Sequence, residues 1–192
     1  MLFSQLFFVA ATLLSAASAA LIAHGPIAAC ANEQVVDTAY IGANKDVKLT
    51  LSHCANAPLV NAHGEAVSHL AKRQSANVCG NACNTYCWAP AAGGPTTSDC
   101  TVIADALLYE SQNTGVFFNA TAFGTATNKI TMTYNTCETF FLNQDTSSIT
   151  YCRTEWSKLV NWLASDCSAA NNAHGGLCVA TDQRWYVQVQ HN

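Results

Sequence analysis

The side chains in this sequence best suited to chemistry are its cysteines, which crowd together near the middle of the chain. Cys79, Cys83 and Cys87 follow one another at four-residue intervals, and thiols at such density can bind a metal, exchange disulfides or form structural disulfides. The Cys-x3-Cys spacing differs from that of zinc sites, and only His174 and His191 lie downstream as nitrogen ligands. The Cys-x2-Cys of redox proteins is absent. We therefore predict structural disulfides and no metal site.

The acidic, basic and histidine side chains do not form a catalytic signature. The candidates for proton transfer or bond cleavage are Glu138, Glu155, Asp182, His174, His191 and Arg184. Paired carboxylates act in glycosidases, and His-Glu-Arg sets act in small secreted ribonucleases. The sequence motifs of serine hydrolases, zinc proteases and phosphate-binding loops are absent. We predict a protein without catalytic activity and without a cofactor.

The N-terminal residues predict export from the cell. An apolar run from Leu6 to Leu14 precedes a small-residue stretch in which Ala17 and Ala19 form the Ala-x-Ala pattern of a signal peptidase site. The run is shorter than the ~20 residues that span a bilayer, and no other segment approaches that length. We therefore predict a signal peptide over residues 1–20 and a secreted, extracellular protein without a membrane span. Its thiols would pair along the oxidising export route.

Lys72-Arg73 is a dibasic pair between small and polar residues, which is typical of a cleavage site for kexin-like proteases. Cleavage there would separate a propeptide, residues 21–73, from a mature domain, residues 74–192. The propeptide would hold Cys30 and Cys54 and leave an even number of cysteines behind. The eight that remain are Cys79, Cys83, Cys87, Cys100, Cys137, Cys152, Cys167 and Cys178. An uncut chain, in which ten cysteines also make an even number, is the alternative.

The predicted mature domain carries few charges. Four basic residues stand against eight acidic ones after Arg73, a formal net charge of −4. No basic stripe is present to meet a phosphate backbone, so we predict no nucleic-acid partner. Neutral polar residues must therefore cover the surface, which is equally common in secreted proteins that meet carbohydrate and in inert ones. Asn119-Ala-Thr121 is the one standard sequon and predicts a glycoprotein.

Hydrophobic periodicity predicts five elements in the mature domain. Residues 95–110 and 154–167 repeat apolar side chains at helical spacing. Residues 114–125 and 128–143 are interpreted as the two strands of a hairpin, and residues 183–190 as a strand with one wet face. The order is α-β-β-α-β. Because both helices and a half-buried antiparallel sheet need apolar cover, we predict a single disulfide-rich, two-layer α+β domain with the helices on one face of the sheet.

The open face of this predicted sheet is the first candidate for a ligand site. Sugar sites combine an aromatic ring, on which the apolar face of a sugar stacks, with planar polar groups. Tyr186 would supply the ring on the sheet, and Trp88, after a cysteine in a loop, and Trp162, off the apolar stripe of the second helix, are further candidates. The predicted carbohydrate-binding residues are Tyr186, Arg184, Gln188, Thr133, Asn135, Trp88 and Trp162. A solvated face without a ligand is the alternative.

Several stretches of the sequence are informative when taken together. They are the Lys-Arg-Gln junction, the early cysteine cluster, SDCTVIADAL, YCRTEWSKLVNWLASDC and the C-terminal GGLCVATDQRWYVQVQ. This combination resembles the small cysteine-rich glycan-binding proteins of mushroom-forming fungi, and the resemblance covers most of residues 79–190. It implies an α-β-β-α-β domain that binds oligosaccharides or glycoproteins, and hence a lectin-like function. The element order is also similar to that of fungal killer toxins and small secreted effectors, so a protein acting on another organism's cells is the alternative.

Overall fold

A computed structural model of the chain describes residues 20–22, 25–27, 30–68 and 76–192. Residues 1–19 of the predicted signal peptide and the predicted cleavage pair Lys72-Arg73 lie outside the described residues. Cleavage at either place therefore stays a prediction.

The described part of the chain folds around one large sheet with two helices. The helices are α1 (Thr97–Asn113) and α2 (Arg153–Asp166). The strands are β1 (Ala20–Ile22), β2 (Gln34–Ile41), β3 (Val47–His53), β4 (Leu59–Val60), β5 (Ala66–Val67), β6 (Cys83–Trp88), β7 (Phe117–Ala120), β8 (Lys129–Tyr134), β9 (Cys137–Asn143), β10 (Ile149–Cys152), β11 (Gly176–Ala180) and β12 (Trp185–His191). The order in the large sheet is β1-β6-β11-β12-β9-β8-β3-β2, and it is antiparallel apart from the β1–β6 pair. Strands β7 and β10, and strands β4 and β5, form two small antiparallel sheets.

The centre of the large sheet contains a tight hairpin, β8–β9. Tyr134 lies opposite Cys137, so Asn135 and Thr136 form a two-residue turn. Asn135 has a φ of 45°, in the left-handed region that asparagine tolerates better than most residues. Residues 128–143 therefore form two paired strands, whereas the sequence pattern predicts a single strand there.

One face of the sheet packs against α1 and α2. The apolar stripe of α2 places Trp156 and Leu163 in this core, as its helical spacing predicts. The rings of Phe141 and Trp185 stack there with centroids 5.7 Å apart, and the ring of Tyr151 lies 4.7 Å from that of Trp185. These buried rings form the larger core of the molecule.

The opposite face of the sheet is covered by residues 30–68, which we call the covering segment. Its hairpin β2–β3 extends the sheet beyond β8. The chain that follows crosses the face that carries Tyr186, where Cys54, Ala57 and Val60 pack in a second buried cluster. The molecule therefore has three layers: helices, sheet and covering segment.

The predicted α-β-β-α-β two-layer domain is wrong, because the molecule is mostly β with two helices. Residues 114–125 do not form a hairpin with residues 128–143; their strand β7 pairs with β10 instead. Strand β11 shows no alternation of apolar and polar residues, because it is buried on both faces and is therefore apolar throughout. The crowded cysteines lie partly in strand β6, and the segment before the dibasic pair adds β2 and β3 to the same sheet.

The prediction of structural disulfides is confirmed. All ten cysteines lie among the described residues and form five disulfides. The pairs are Cys30–Cys54, Cys79–Cys152, Cys83–Cys178, Cys87–Cys167 and Cys100–Cys137. Such cross-links stabilise a fold mainly by restricting the unfolded chain. Five of them fit a protein that matures in an oxidising compartment.

None of the helices in the described ranges is both long and apolar enough to cross a bilayer. Secretion stays a prediction.

Candidate functional site

A groove beside α2 brings an exposed indole ring together with polar side chains, and we call it the Trp162 groove. It lies between α2, β6 and β11 and has a volume of about 410 Å³. Its lining includes Asn81, Thr85, Tyr151, Glu155, Leu159 and Trp162. All of these residues belong to the chain after the predicted cleavage site.

The spacing of residues in α2 places three groove side chains on one flank of the helix. Glu155, Leu159 and Trp162 stand four and then three residues apart, so they project from the same side, beside the buried stripe. The side chain of Trp162 is 41% exposed. Its indole N–H donates a hydrogen bond to Oγ1 of Thr85 across 3.3 Å. This bond orients the ring, so the groove presents a flat apolar surface to solvent.

Two disulfides hold the floor of the Trp162 groove. Thr85 lies in β6 between Cys83, which bridges to Cys178 in β11, and Cys87, which bridges to Cys167 after α2. The Sγ atom of Cys178 also lies 3.4 Å from Oγ1 of Thr85. Both strands and the end of the helix are therefore cross-linked. A ligand would meet a formed surface and would not have to order a loop.

The groove is rich in hydrogen-bonding groups of both kinds. Glu155 accepts a hydrogen bond from Nζ of Lys158 across 2.6 Å and keeps part of its carboxylate exposed. The amide of Asn81 donates to Asp182 across 3.2 Å. Tyr151 is 1% exposed and lies beneath the groove, where burial and, to a smaller extent, the charge of Glu155 raise the pKa of its phenol; the hydroxyl within the groove is therefore that of Thr85. An indole beside a carboxylate, an amide and a hydroxyl matches the two faces of a sugar ring.

The sheet face predicted to bind carbohydrate is not exposed in the full chain. Tyr186, Arg184 and Gln188 are 1%, 3% and 0% exposed. Tyr186 packs beneath Cys54 and Val60 of the covering segment, and burial raises the pKa of its phenol. The face that the sequence predicts to be open and wet is therefore covered in the uncut chain. The alternating residues of β12 lie between two covered faces.

Arg184 makes an internal contact instead of meeting a ligand. Its Nε donates to Oδ2 of Asp145 across 2.6 Å, and both side chains are buried. Burial by itself would raise the pKa of Asp145. Hydrogen bonds from Arg184 and Ser147 outweigh that effect and hold this pKa below its usual value.

The other predicted carbohydrate-binding residues lie apart from one another. Trp88 ends strand β6, where a loop is predicted, and its side chain is fully buried. Thr133 and Asn135 lie beside and in the β8–β9 turn, and the amide of Asn135 donates to Asp99 across 3.3 Å. Of the seven predicted residues, the structure brings Trp162 to the groove.

Most of the acid and base candidates stand on different elements; Asp182 and Arg184 share the turn before β12, where the backbone N–H of Arg184 donates to Oδ1 of Asp182 across 3.2 Å. Glu138 accepts a hydrogen bond from Gln190 across 2.7 Å, and partial burial raises its pKa. The Nδ1 of His174 lies 2.6 Å from the carbonyl oxygen of Pro90. The Nδ1 of His191 lies 2.7 Å from the carbonyl oxygen of Asn192. Within the described ranges, no group of three or more His, Cys, Asp or Glu side chains could hold a metal ion.

Three groove residues with hydrogen-bonding side chains are absent from the sequence prediction. Asn81 and Thr85 lie among the crowded cysteines, and Tyr151 directly precedes Cys152. Their positions next to bridged cysteines were a usable signal, because such residues are held in place by the cross-links. No protein-family model, curated protein or solved structure matches this chain. The geometry of the groove is therefore the basis for a functional assignment.

Proposed function

We propose that this chain is a secreted, lectin-like protein that binds an oligosaccharide or a glycoprotein in the Trp162 groove, without catalysis. The observation that carries the proposal is the exposed indole of Trp162, oriented by Thr85 and flanked by Glu155 and Asn81. The C–H face of a sugar stacks on an indole ring, while its hydroxyl groups need carboxylate, amide and hydroxyl partners. The groove offers each of these on cross-linked elements.

Two sequence features support carbohydrate as the ligand. The resemblance to glycan-binding proteins of mushroom-forming fungi favours it, although the α-β-β-α-β fold that this resemblance implies is not the fold of this chain. The low charge of residues 74–192, formally −4, disfavours a nucleic-acid partner.

Replacing Trp162 with alanine tests the site. We expect the full-length protein to bind a narrow set of glycans on an array. The Trp162→Ala variant should bind them about tenfold more weakly, because aromatic stacking contributes roughly 0.5–1.5 kcal/mol beyond the area that it buries. Tyr109→Ala is a matched control, since Tyr109 is a similarly exposed aromatic residue on α1 and does not line the groove.

Three outcomes would contradict parts of this proposal. Normal glycan binding by a folded Trp162→Ala variant would move the site elsewhere. A blank array, together with inhibited growth of another organism's cells, would favour a killer-toxin-like or effector protein. Hydrolysis of RNA or of a polysaccharide that is lost in Glu155→Gln would show that the protein is an enzyme.

A further inference from the structure

The covering segment, residues 30–68, is built into the sheet. Strand β3 pairs with β8 along five residue pairs, and β2 forms the outer edge. Ile41 and Leu49 pack against the core of residues 76–192, which we call the C-terminal body. The segment therefore adds two strands to the large sheet and apolar side chains to the main core.

Two buried amide side chains of the C-terminal body hold the backbone of the covering segment. Asn128 accepts a hydrogen bond from the N–H of Cys54 across 2.8 Å and donates to its carbonyl oxygen across 2.9 Å. Gln144 does the same with Val60: it accepts from the N–H and donates to the carbonyl oxygen, the second bond measuring 3.0 Å. Each amide thus completes a pair of bonds like those between neighbouring strands. Both side chains would lose these partners if the segment left.

Further polar contacts extend along the covering segment. Glu33, near its start, forms an ion pair with Lys129 at 2.7 Å, and the same ammonium group lies 4.7 Å from the ring centroid of Phe140. Toward its end, the carbonyl oxygen of Ala62 accepts a hydrogen bond from the hydroxyl of Tyr86 across 2.6 Å. The contacts are therefore spread over most of the segment, and their combined strength does not depend on any one of them.

No disulfide joins the two parts among the ten cysteines, all of which are described. Cys30–Cys54 closes within the covering segment, and the other four disulfides close within the C-terminal body. Cleavage at Lys72-Arg73, which the sequence predicts between the two parts, would thus yield two separately cross-linked chains. Non-covalent contacts alone would connect them.

We propose that the covering segment remains bound to the C-terminal body after this cleavage, as the smaller chain of a two-chain protein. Its departure would leave β8 as an open edge and would expose the apolar face that carries Phe140, Leu177 and Tyr186. Burial of that face and pairing of that edge both favour the bound state. Cleavage removes the tether and leaves every one of these contacts in place. The proposal does not depend on glycan binding, because the lining of the Trp162 groove comes from the C-terminal body.

The test is to cut the purified full-length protein with a dibasic-specific protease and to follow both chains. We expect gel filtration under native conditions to give one peak that contains both. Mass spectrometry after denaturation without reduction should then show two separate chains. Arg73→Gln, which removes the cleavage site, is the control for cutting elsewhere. Recovery of the C-terminal body as a folded monomer free of the covering segment would overturn the proposal.

The amide contacts provide a second, graded test. In the uncut Gln144→Ala variant the tether keeps the segment at high effective concentration, so the protein should elute as the parent does. After cutting, the variant should release the covering segment about tenfold more readily, because two buried hydrogen bonds are lost. Gln112→Ala, at an exposed glutamine on α1, should behave as the parent protein does. Equal retention by Gln144→Ala and the parent would contradict the assigned interface.

Discussion

Arg184 and Asp145 form an ion pair that is almost completely removed from water. Their side chains are 3% and 2% exposed, and Nε of Arg184 lies 2.6 Å from the carboxylate. Because a lone buried charge is costly, each group depends on the other for compensation. The arginine that the sequence suggests as a sugar contact is therefore part of the interior.

Replacing Asp145 with asparagine should destabilise the protein by about 3–5 kcal/mol at neutral pH, because Arg184 would be left buried without a counter-charge. The pKa of Asp145 is lowered in the folded state, so its contribution is present above the unfolded pKa near 4 and is lost as the pH falls through the folded value. Urea unfolding at pH 7 and at pH 3 measures this. We expect the difference in unfolding free energy between Asp145→Asn and the parent to be smaller at pH 3 than at pH 7. Asp105 has an exposed carboxylate and serves as the control. If Asp105→Asn lowered the free energy of unfolding as much as Asp145→Asn, this explanation would be refuted.

Asn119 is placed where a glycan could be attached. Its side chain is exposed on β7, and its carbonyl oxygen accepts a hydrogen bond from the hydroxyl of Thr150 across 2.7 Å, which leaves the amide nitrogen available. We expect protein secreted from a eukaryotic host to lose mass on treatment with an N-glycosidase, and Asn119→Gln to abolish that shift. An unchanged mass of the parent protein after treatment would rule out modification at this residue.

Among the elements, α1 is tied to the β8–β9 turn by two kinds of bond. Cys100, in the first turns of α1, bridges to Cys137 at the start of β9. Next to it, the hydroxyl and the N–H of Thr136 both donate to the carboxylate of Asp99 and lower its pKa. The start of the helix is therefore held against the centre of the sheet.

Removing this disulfide should lower the free energy of unfolding by about 2–4 kcal/mol, because the unfolded chain regains the freedom of a 37-residue loop. The double variant Cys100→Ala, Cys137→Ala avoids a free thiol and can be compared with the parent by urea unfolding. We expect a lower midpoint with little change in glycan binding, since neither residue lines the Trp162 groove. A midpoint equal to that of the parent would mean that the packing of α1 alone holds the start of this helix against the β8–β9 turn.

On the scale of the whole molecule, the covering segment and the proposed binding groove have separate locations. The covering segment closes one face and one edge of the sheet, whereas the Trp162 groove lies on the helix side and is lined by the C-terminal body. A ligand could therefore reach the groove with the covering segment in place. Under the proposed two-chain arrangement, cleavage would leave the groove intact.

Features that depend on neighbours in sequence were open to prediction. The apolar stripes of α1 and α2 repeat at helical spacing, and both helices are present. The position of Trp162 beside the stripe of α2 already indicated exposure, and the predicted export signal together with an even cysteine count indicated disulfides. In each case the pattern and its cause lie within a short stretch of chain or in the composition as a whole.

Tertiary structure alone decided which strands pair and which faces are covered. The alternation in β12 correctly separates Trp185 from Tyr186, yet it cannot reveal that Val60, far away in sequence, covers the second side. Likewise, β7 and β10 pair although a hairpin lies between them in sequence. The ten cysteines are chemically identical, so the sequence does not indicate which of them form disulfides with one another. The sequence by itself determined two helices and a disulfide-bonded chain, and it offered two exposed tryptophans, of which Trp162 is exposed and Trp88 is buried. Assembly of the groove and burial of the predicted sheet face required the folded chain, because both depend on contacts between residues that have no local relation to one another.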